Sequence, residues 1–146
     1  MSLRQLFRSS FVLCVLTTFL ASYLESQTCP PPDVPDSLYQ DTNLDGIDGD
    51  TSHAIFVSGT AGTDANPGTM VLPVATVQHG IQLAQAAGKD VYVAGGIYTL
   101  STPLQMASGV SLYGQYSGPP SWSRSASNVT TMLGVSPVIE ANGINL

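Results

Sequence analysis

The chain has 146 residues, a formal net charge of −6, 43% hydrophobic residues and only 10% charged residues. This length corresponds to one domain at most, and the composition excludes a coiled coil and an acidic disordered chain. No Lys or Arg lies between Arg8 and Lys89. A nucleic-acid phosphate backbone would be repelled by such a chain, so we expect no nucleic-acid partner.

The N-terminus predicts an export signal over residues 1–26. Two arginines precede an apolar stretch from Phe11 to Leu24, and this stretch is too short to cross a bilayer comfortably. We expect cleavage after Ser26, a secreted or cell-surface location, and no membrane contact after cleavage; an uncleaved anchor is the alternative. Cleavage would remove Cys14 and leave Cys29 as the only thiol, which rules out an intrachain disulfide.

Residues 27–53 form a segment rich in Pro and Asp that predicts a calcium site. Asp41, Asn43 and Asp45, followed by Gly46, match the first half of an EF-hand-type loop. Alternate positions direct their side-chain oxygens at one centre, and calcium prefers six to eight oxygen ligands. The predicted ligands of this structural calcium ion are Asp41, Asn43, Asp45, Ile47 through its carbonyl, Asp48 and Asp50.

The charge of the segment also favours a cation. Six Asp lie between positions 33 and 50 with no basic residue beside them, so a bound cation would relieve their mutual repulsion. The twelfth loop position is Ser52 rather than a bidentate Glu, and no flanking helix pair is visible, so the segment is not an EF-hand. A solvated acidic linker with Asx turns is the alternative.

A buried strand, a loop and one helix follow. Residues 54–58 form a short apolar run typical of a buried strand, and residues 59–72 are dense in loop-forming residues. The spacing then predicts a helix over about residues 76–87, with Thr76 as the N-cap and Gly88 at the C-terminal end. Its apolar face consists of Val77, Gly80, Ile81, Ala84 and Ala87.

After the helix, short β-rich runs recur between glycine-containing turns. They cover residues 91–94, 98–100, 104–106, 110–113, 130–133 and 138–141. Comparable runs start at Val91, Val110 and Thr130, at nearly equal spacing. A period of roughly 20 positions without intervening helices predicts an all-β solenoid. An antiparallel sandwich also uses short strands with turn signals and is the alternative.

Four ordered segments carry a family resemblance: IFVSGTAGTDANPGT, LPVATVQHGIQLA, KDVYVAGGIYTL and LQMASGVSLYGQY. Over roughly residues 54–116 they resemble the N-terminal region of secreted bacterial right-handed parallel β-helix proteins of the pectin-lyase-like superfamily. The D-x-N-x-D-G loop before them is similar to the calcium loops of dockerins and to linkers that precede some secreted β-helices. The resemblance implies the start of a right-handed parallel β-helix over residues 54–146, with the predicted helix as its N-terminal cap. It implies a fold rather than an activity.

The motif residues of the loop and helix start are expected to be structural. An open solenoid end exposes strand edges and apolar side chains, which the amphipathic helix can cover. Asx turns and glycine-dependent reversals suit the polar loop residues. The residues with this predicted structural role are Asp64, Asn66, Gly68, Thr69 and Thr76.

No catalytic site is predicted. Asp90 and Glu140 are separated by more than two periods of the predicted solenoid, which corresponds to ~12 Å along a stack whose coils are ~4.8 Å apart. A glycosidase pair needs ~5–9.5 Å. Trp122 and Arg124 are candidates for contact with a carbohydrate, and they suit an insertion loop between coils as well.

The leading interpretation is a secreted or cell-surface β-helix segment with a structural, adhesive or carbohydrate-contacting role. Extracellular polysaccharide and the cell surface are the expected partners. The alternative is the N-terminal part of a polysaccharide lyase or glycoside hydrolase whose catalytic coils lie beyond this chain. We expect the β-helix to be incomplete at the C-terminus, which would leave an open coil able to self-associate.

Overall fold

The computed structural model describes residues 32–141. The predicted export signal and Cys29 lie outside this range. Within it, the elements are a 3-10 helix (Thr51–His53), β1 (Ala54–Val57), α1 (Val77–Ala87), β2 (Asp90–Ala94), β3 (Gly96–Thr99), β4 (Leu104–Gln105), β5 (Leu112–Tyr116), β6 (Thr130–Leu133) and β7 (Ile139–Glu140). The described chain is therefore mostly β, as expected of an all-β fold. None of its helices has the length and hydropathy of a membrane span.

The strands form three short parallel sheets. The first has the order β1-β2-β5, the second pairs β3 with β6, and the third pairs β4 with β7. We call β2, β3 and β4 the first triplet and β5, β6 and β7 the second triplet; each member of the second pairs with the corresponding member of the first. These parallel pairs exclude the antiparallel sandwich for the named strands.

The strand pairing does not follow the even spacing of the run starts. Val91 lies opposite Leu112 rather than Val110. Thr130 lies opposite Gly96 in the second sheet and does not continue the sheet of Val91. The run that starts at Thr130 therefore belongs to a different sheet from the runs at Val91 and Val110. The insertion at residues 117–129 separates β5 from β6, and a register shift between Tyr92 and Ala94 also interrupts the pairing of β2 with β5.

Helix α1 covers one face of the first sheet. Its ends agree with the prediction, because the Thr76 side chain accepts the His79 N–H and Gly88 adopts the left-handed conformation with φ of 64°. The helix buries Val77, Gly80, Ile81 and Ala84. Val77, Ile81 and Ala84 pack with alternate residues of the strands in one cluster, whereas the fifth predicted face residue, Ala87, is exposed.

Both faces of the first sheet are buried, because successive strand residues point to opposite sides. The inner face toward α1 carries the small aliphatic side chains Ile55, Val57, Val91 and Val93. The outer face carries larger and mostly aromatic side chains, which form a second cluster with Ile47 and with the insertion at residues 117–129. The main members of that cluster are Phe56, Tyr92, Tyr116 and Trp122.

Candidate cation-binding segment and the Arg124 junction

The acidic segment, residues 33–50, lies on the outer face of the first sheet. Ile47 is only 2% exposed and packs in the aromatic cluster. Two tyrosine hydroxyls hold the backbone of the segment: Tyr92 accepts the Asp50 N–H at 3.0 Å, and Tyr116 donates to the Asp48 carbonyl at 2.7 Å. Burial raises the pKa of both tyrosines, so both remain protonated over the whole neutral range.

Backbone N–H groups bind every carboxylate of the acidic segment. Four carboxylates each accept two backbone N–H groups: Asp33 from Thr42 and Gly49, Asp36 from Leu38 and Tyr39, Asp41 from Asp45 and Gly46, and Asp45 from Ile47 and Thr51. The other two each accept one: Asp48 from Asp36 and Asp50 from Ser52. Hydrogen bonds from N–H groups favour the charged form of a carboxylate. Much of the repulsion that the sequence suggests is therefore offset by the fold of the segment itself.

The predicted metal ligands do not all converge. The Asn43 amide nitrogen lies between the Asp45 carboxylate, at 3.2 Å, and the Gly49 carbonyl, at 3.3 Å. The same Asp45 oxygen also accepts from the Thr51 hydroxyl at 3.0 Å. No three His, Cys, Asp or Glu side chains within residues 32–141 form a metal-binding group.

Asp50 and Asp48, two of the predicted calcium ligands, differ in their environment. Asp50 caps the 3-10 helix, and its hydrogen bond from the Ser52 hydroxyl is the largest cause that lowers the pKa of Asp50. The Asp48 side chain is only 1% exposed and forms an ion pair with Arg124 at 2.8 Å. The negative charge of Asp48 is therefore already paired with the positive charge of Arg124, whereas Asp50 lies at the surface.

Arg124 is the basic partner that the sequence does not reveal. Its guanidinium lies 5.2 Å from the ring centroid of Tyr39 and 5.8 Å from that of Tyr116. Besides the ion pair with Asp48, it donates to the carbonyl of Asp36 and, at 3.0 Å, to that of Gly114. These contacts, which we call the Arg124 junction, join the acidic segment to β5 and to the insertion.

Trp122 does not offer a surface to a carbohydrate. Its side chain is 0% exposed, and its ring centroid lies 4.7 Å from that of Phe56 in an edge contact. The indole N–H donates to the carbonyl of Met70 at 2.9 Å. The prediction that Trp122 contacts a sugar is wrong for this conformation, because the indole is a core side chain and its partner Arg124 is engaged in the junction.

The loop at residues 58–76 brings the five predicted motif residues into one hydrogen-bonded unit. Asp64 accepts the N–H groups of Ala75 and Thr76 at 2.9 Å each. The amide of Asn66 donates to the Pro73 carbonyl at 2.9 Å, and the Thr69 hydroxyl accepts the Leu72 N–H. The remaining contacts are the Phe56 N–H to the Gly68 carbonyl and the Thr76 cap of α1. Burial acts to raise the pKa of Asp64, but the hydrogen bonds from Thr76 and Ala75 lower the pKa below its ordinary value.

The two carboxylates beyond α1 accept hydrogen bonds from neighbouring parts of the chain. Asp90 accepts the Ser111 N–H at 2.8 Å, and Glu140 accepts from the Gln105 amide at 2.8 Å. Asp90 belongs to the first sheet and Glu140 to the third.

Three contributors to these contacts are missing from the sequence-based interpretation. Asp33 lies in a Pro-rich stretch and belongs to no recognisable motif, yet its carboxylate accepts the N–H groups of both Thr42 and Gly49. Tyr92 and Tyr116 anchor the acidic segment across long sequence separations. The alternation of Val91, Tyr92 and Val93 does indicate that Tyr92 points to the opposite face from its neighbours. Nothing in the sequence indicates which segment would cover that face.

The described chain thus belongs to the class of mostly β proteins with short parallel sheets and one covering helix. Residues 60–145 match the model of the family described as "Protein of unknown function (DUF1565)". The chain belongs to this family, which is related in general to the pectin-lyase-like β-helix proteins. No curated protein and no solved structure gives a significant match.

Proposed function

We propose that residues 54–141 are the capped N-terminal part of a right-handed parallel β-helix in a secreted or cell-surface protein, with a structural or adhesive role. The observation that carries the proposal is the repeated strand order, in which the second triplet follows the first with parallel pairing throughout. This order supports the proposal, because parallel strands that repeat in the same order without helices between them are typical of a chain wound in successive coils.

The chemistry of the described side chains favours a structural role over catalysis. Beyond α1, the charged residues of the described range are Lys89, Asp90, Arg124 and Glu140. Three of them bind backbone or neighbouring side chains, as the preceding section describes. A lyase or glycosidase needs acidic and basic groups that converge on one substrate position.

The register can be tested by nuclear magnetic resonance on residues 27–146. We expect backbone amide contacts between Gly96 and Thr130 and between Leu104 and Ile139, because these residues are paired in the second and third sheets. Absence of both contacts in the folded protein would contradict the coil arrangement.

Location and activity can be tested together. We expect the chain to be recovered from the culture medium or the cell surface after expression in a bacterial host. The purified protein should sediment with cell envelopes or insoluble polysaccharide without releasing reducing ends. Retention in the cytoplasm would contradict the location, and depolymerisation of a polysaccharide would support the lyase or hydrolase alternative instead.

We also propose that the acidic segment binds calcium weakly. Support comes from the oxygens of Asp41, Asn43 and Asp45 and from the carboxylate of Asp50, which lies at the surface. The Ile47 carbonyl completes the proposed donor set. Asp48 is left out because its carboxylate is held by Arg124. Hard oxygen donors of this kind suit calcium better than transition metals.

Calorimetry with the D45N variant tests this site. We expect heat of calcium binding and a higher melting temperature for the unmodified protein, and neither for D45N. The D90N variant is the matched control, because Asp90 lies on β2. Equal melting curves in calcium and in chelator, without heat of binding, would overturn the proposal.

A further inference from the structure

The acidic segment, residues 33–50, is hydrogen-bonded mainly within itself. Its carboxylates accept backbone N–H groups from the segment and from the 3-10 helix that follows it. Among the described residues, no backbone-to-backbone hydrogen bond joins the segment to a strand. The hydrogen bonds that leave the segment within this range involve four side chains: Tyr92, Gln115, Tyr116 and Arg124. The segment is therefore a separate hydrogen-bonded unit that is attached to the rest of the chain at a small contact.

Few apolar side chains hold the segment against the first sheet. Of its four aliphatic residues, Ile47 is buried and the other three are exposed: Val34 at 60%, Leu38 at 67% and Leu44 at 87%. A segment with few buried apolar contacts opens locally at a lower free energy than the core of its domain. The acidic segment therefore has the packing expected of a part that opens before the sheets do.

The charge of the segment also opposes the closed arrangement. The segment contains six Asp and no Lys, Arg or His, and the ion pair with Arg124 compensates one of these charges. Hydrogen bonds from N–H groups offset much of the repulsion among the others, but like charges within one compact segment still favour expansion. Opening the segment relieves this remaining repulsion.

Backbone strain is concentrated at the same contact. Four non-glycine residues in the described range have a positive φ: Tyr39 at 56°, Leu44 at 60°, Gln115 at 71° and Trp122 at 50°. The first two belong to the segment. The other two face it, because the Tyr39 hydroxyl donates to the Gln115 amide oxygen at 3.2 Å and Trp122 shares the aromatic cluster with Ile47. Such conformations cost free energy and cluster in parts of proteins that switch between states.

We propose that the acidic segment is a strap that opens as one cooperative unit, with residues 51–53 as its hinge, while the three sheets and α1 stay folded. The match to the family begins at residue 60, so the strap lies outside the matched domain. The hinge is the 3-10 helix between the strap and β1, and none of its residues is buried. They can therefore change conformation without disturbing the core.

Opening of the strap uncovers a specific set of side chains. Asp48 binds Tyr116 through its carbonyl and Arg124 through its carboxylate, and the Asp50 N–H binds Tyr92. The rings of Tyr92 and Tyr116 are stacked at 4.9 Å, and the Arg124 guanidinium lies 5.8 Å from the second of them. The strap therefore controls access to two adjoining tyrosine rings and a guanidinium on the outer face of the first sheet.

Hydrogen exchange of the unmodified protein tests this device, with chelator in every sample so that the result is independent of the proposed calcium binding. We expect the amides of Thr42, Gly49 and Asp50 to exchange through one shared opening event. This event should be at least about tenfold more populated than the one that exposes the Val91 amide. Exchange of the strap amides should depend only weakly on urea, because opening the strap exposes far less surface than global unfolding.

Two tyrosine variants separate strap opening from global unfolding. Tyr116→Phe removes the donor to the Asp48 carbonyl, so the opening equilibrium of the strap should rise about tenfold. Tyr98→Phe is the matched control, because the Tyr98 hydroxyl donates to the Ala94 carbonyl at 3.0 Å and its ring packs in the cluster beneath α1. It should speed exchange at Val91 and leave the strap amides unchanged, since the surroundings of position 98 stay folded when only the strap opens.

Strap amides with the same free energy and urea dependence of exchange as Val91 would overturn the proposal, because they would report global unfolding alone. Equal acceleration of the strap amides by Tyr116→Phe and Tyr98→Phe would overturn it for the same reason. Acceleration at Asp50 alone would reveal independent fraying and would also contradict a cooperative strap. If Tyr116→Phe does not fold, the urea dependence of the unmodified protein decides.

Discussion

The acidic segment and the loop at residues 58–76 both use Asp carboxylates to bind backbone N–H groups, but they are held in different ways. In the loop, Asp64 binds residues 75 and 76, and the partners of the other motif residues are equally close in sequence. The acidic segment depends on Arg124, which is 76 positions from Asp48. A local network can be inferred from sequence, whereas a distant partner cannot.

The largest expected effect comes from removing the aromatic support of the acidic segment. We expect Trp122→Ala to lower the free energy of unfolding by about 4 kcal/mol, because it removes a fully buried side chain from the outer face of the first sheet. Urea denaturation measures this change. Ser121→Ala, at an exposed neighbouring position, is the control and should have little effect.

Breaking the Arg124 junction should have the next largest effect. Arg124→Gln leaves the Asp48 carboxylate, which is 1% exposed, without its charged partner, so we expect a loss of about 3 kcal/mol. The acidic segment should also become more sensitive to proteolysis than the loop at residues 58–76. The double variant R124Q/D48N should recover part of the stability, and a double variant as unstable as the sum of the single ones would show that the two residues act independently.

A smaller effect is expected where α1 approaches the first sheet. A Cβ atom at Gly80 would lie 2.6 Å from a methyl group of Val57. We expect Gly80→Ala to lower the free energy of unfolding by about 1 kcal/mol, because overpacking exceeds the gain in helix propensity. Thermal melting measures the change, and Gln82→Ala on the exposed side of the helix is the control. A more stable Gly80→Ala protein would show that Val57 can move aside.

The smallest effect concerns the pH dependence of the loop. The folded-state pKa of Asp64 is lowered from its ordinary value of 3.8, so its contribution to stability is present above that pH and is lost as the pH falls through the folded pKa. Asp64 is largely exposed, and we expect a contribution below about 1 kcal/mol. Urea midpoints measured from neutral to acidic pH should fall less steeply for D64N than for the unmodified protein. Parallel curves would contradict the role assigned to Asp64.

Local sequence was sufficient where the interactions are local. The first strand, the bounds of α1 and both of its caps follow from periodicity, Thr76 and Gly88, because a helix is specified by neighbours three and four positions apart. The repeat register was not predictable in the same way. The insertion at residues 117–129 and a bulge shift the pairing without changing the β-rich character of either strand.

The sequence by itself determined that this chain is mostly β, that one capped helix follows the first strand, and that the acidic residues are concentrated before it. Only the tertiary structure decided which strands pair, that Trp122 is a core residue, and that Arg124 neutralises Asp48. The physical reason is the sequence separation of the partners. Hydrophobic periodicity and capping are encoded within a few residues, whereas an ion pair or a strand register between distant segments depends on how the whole chain closes.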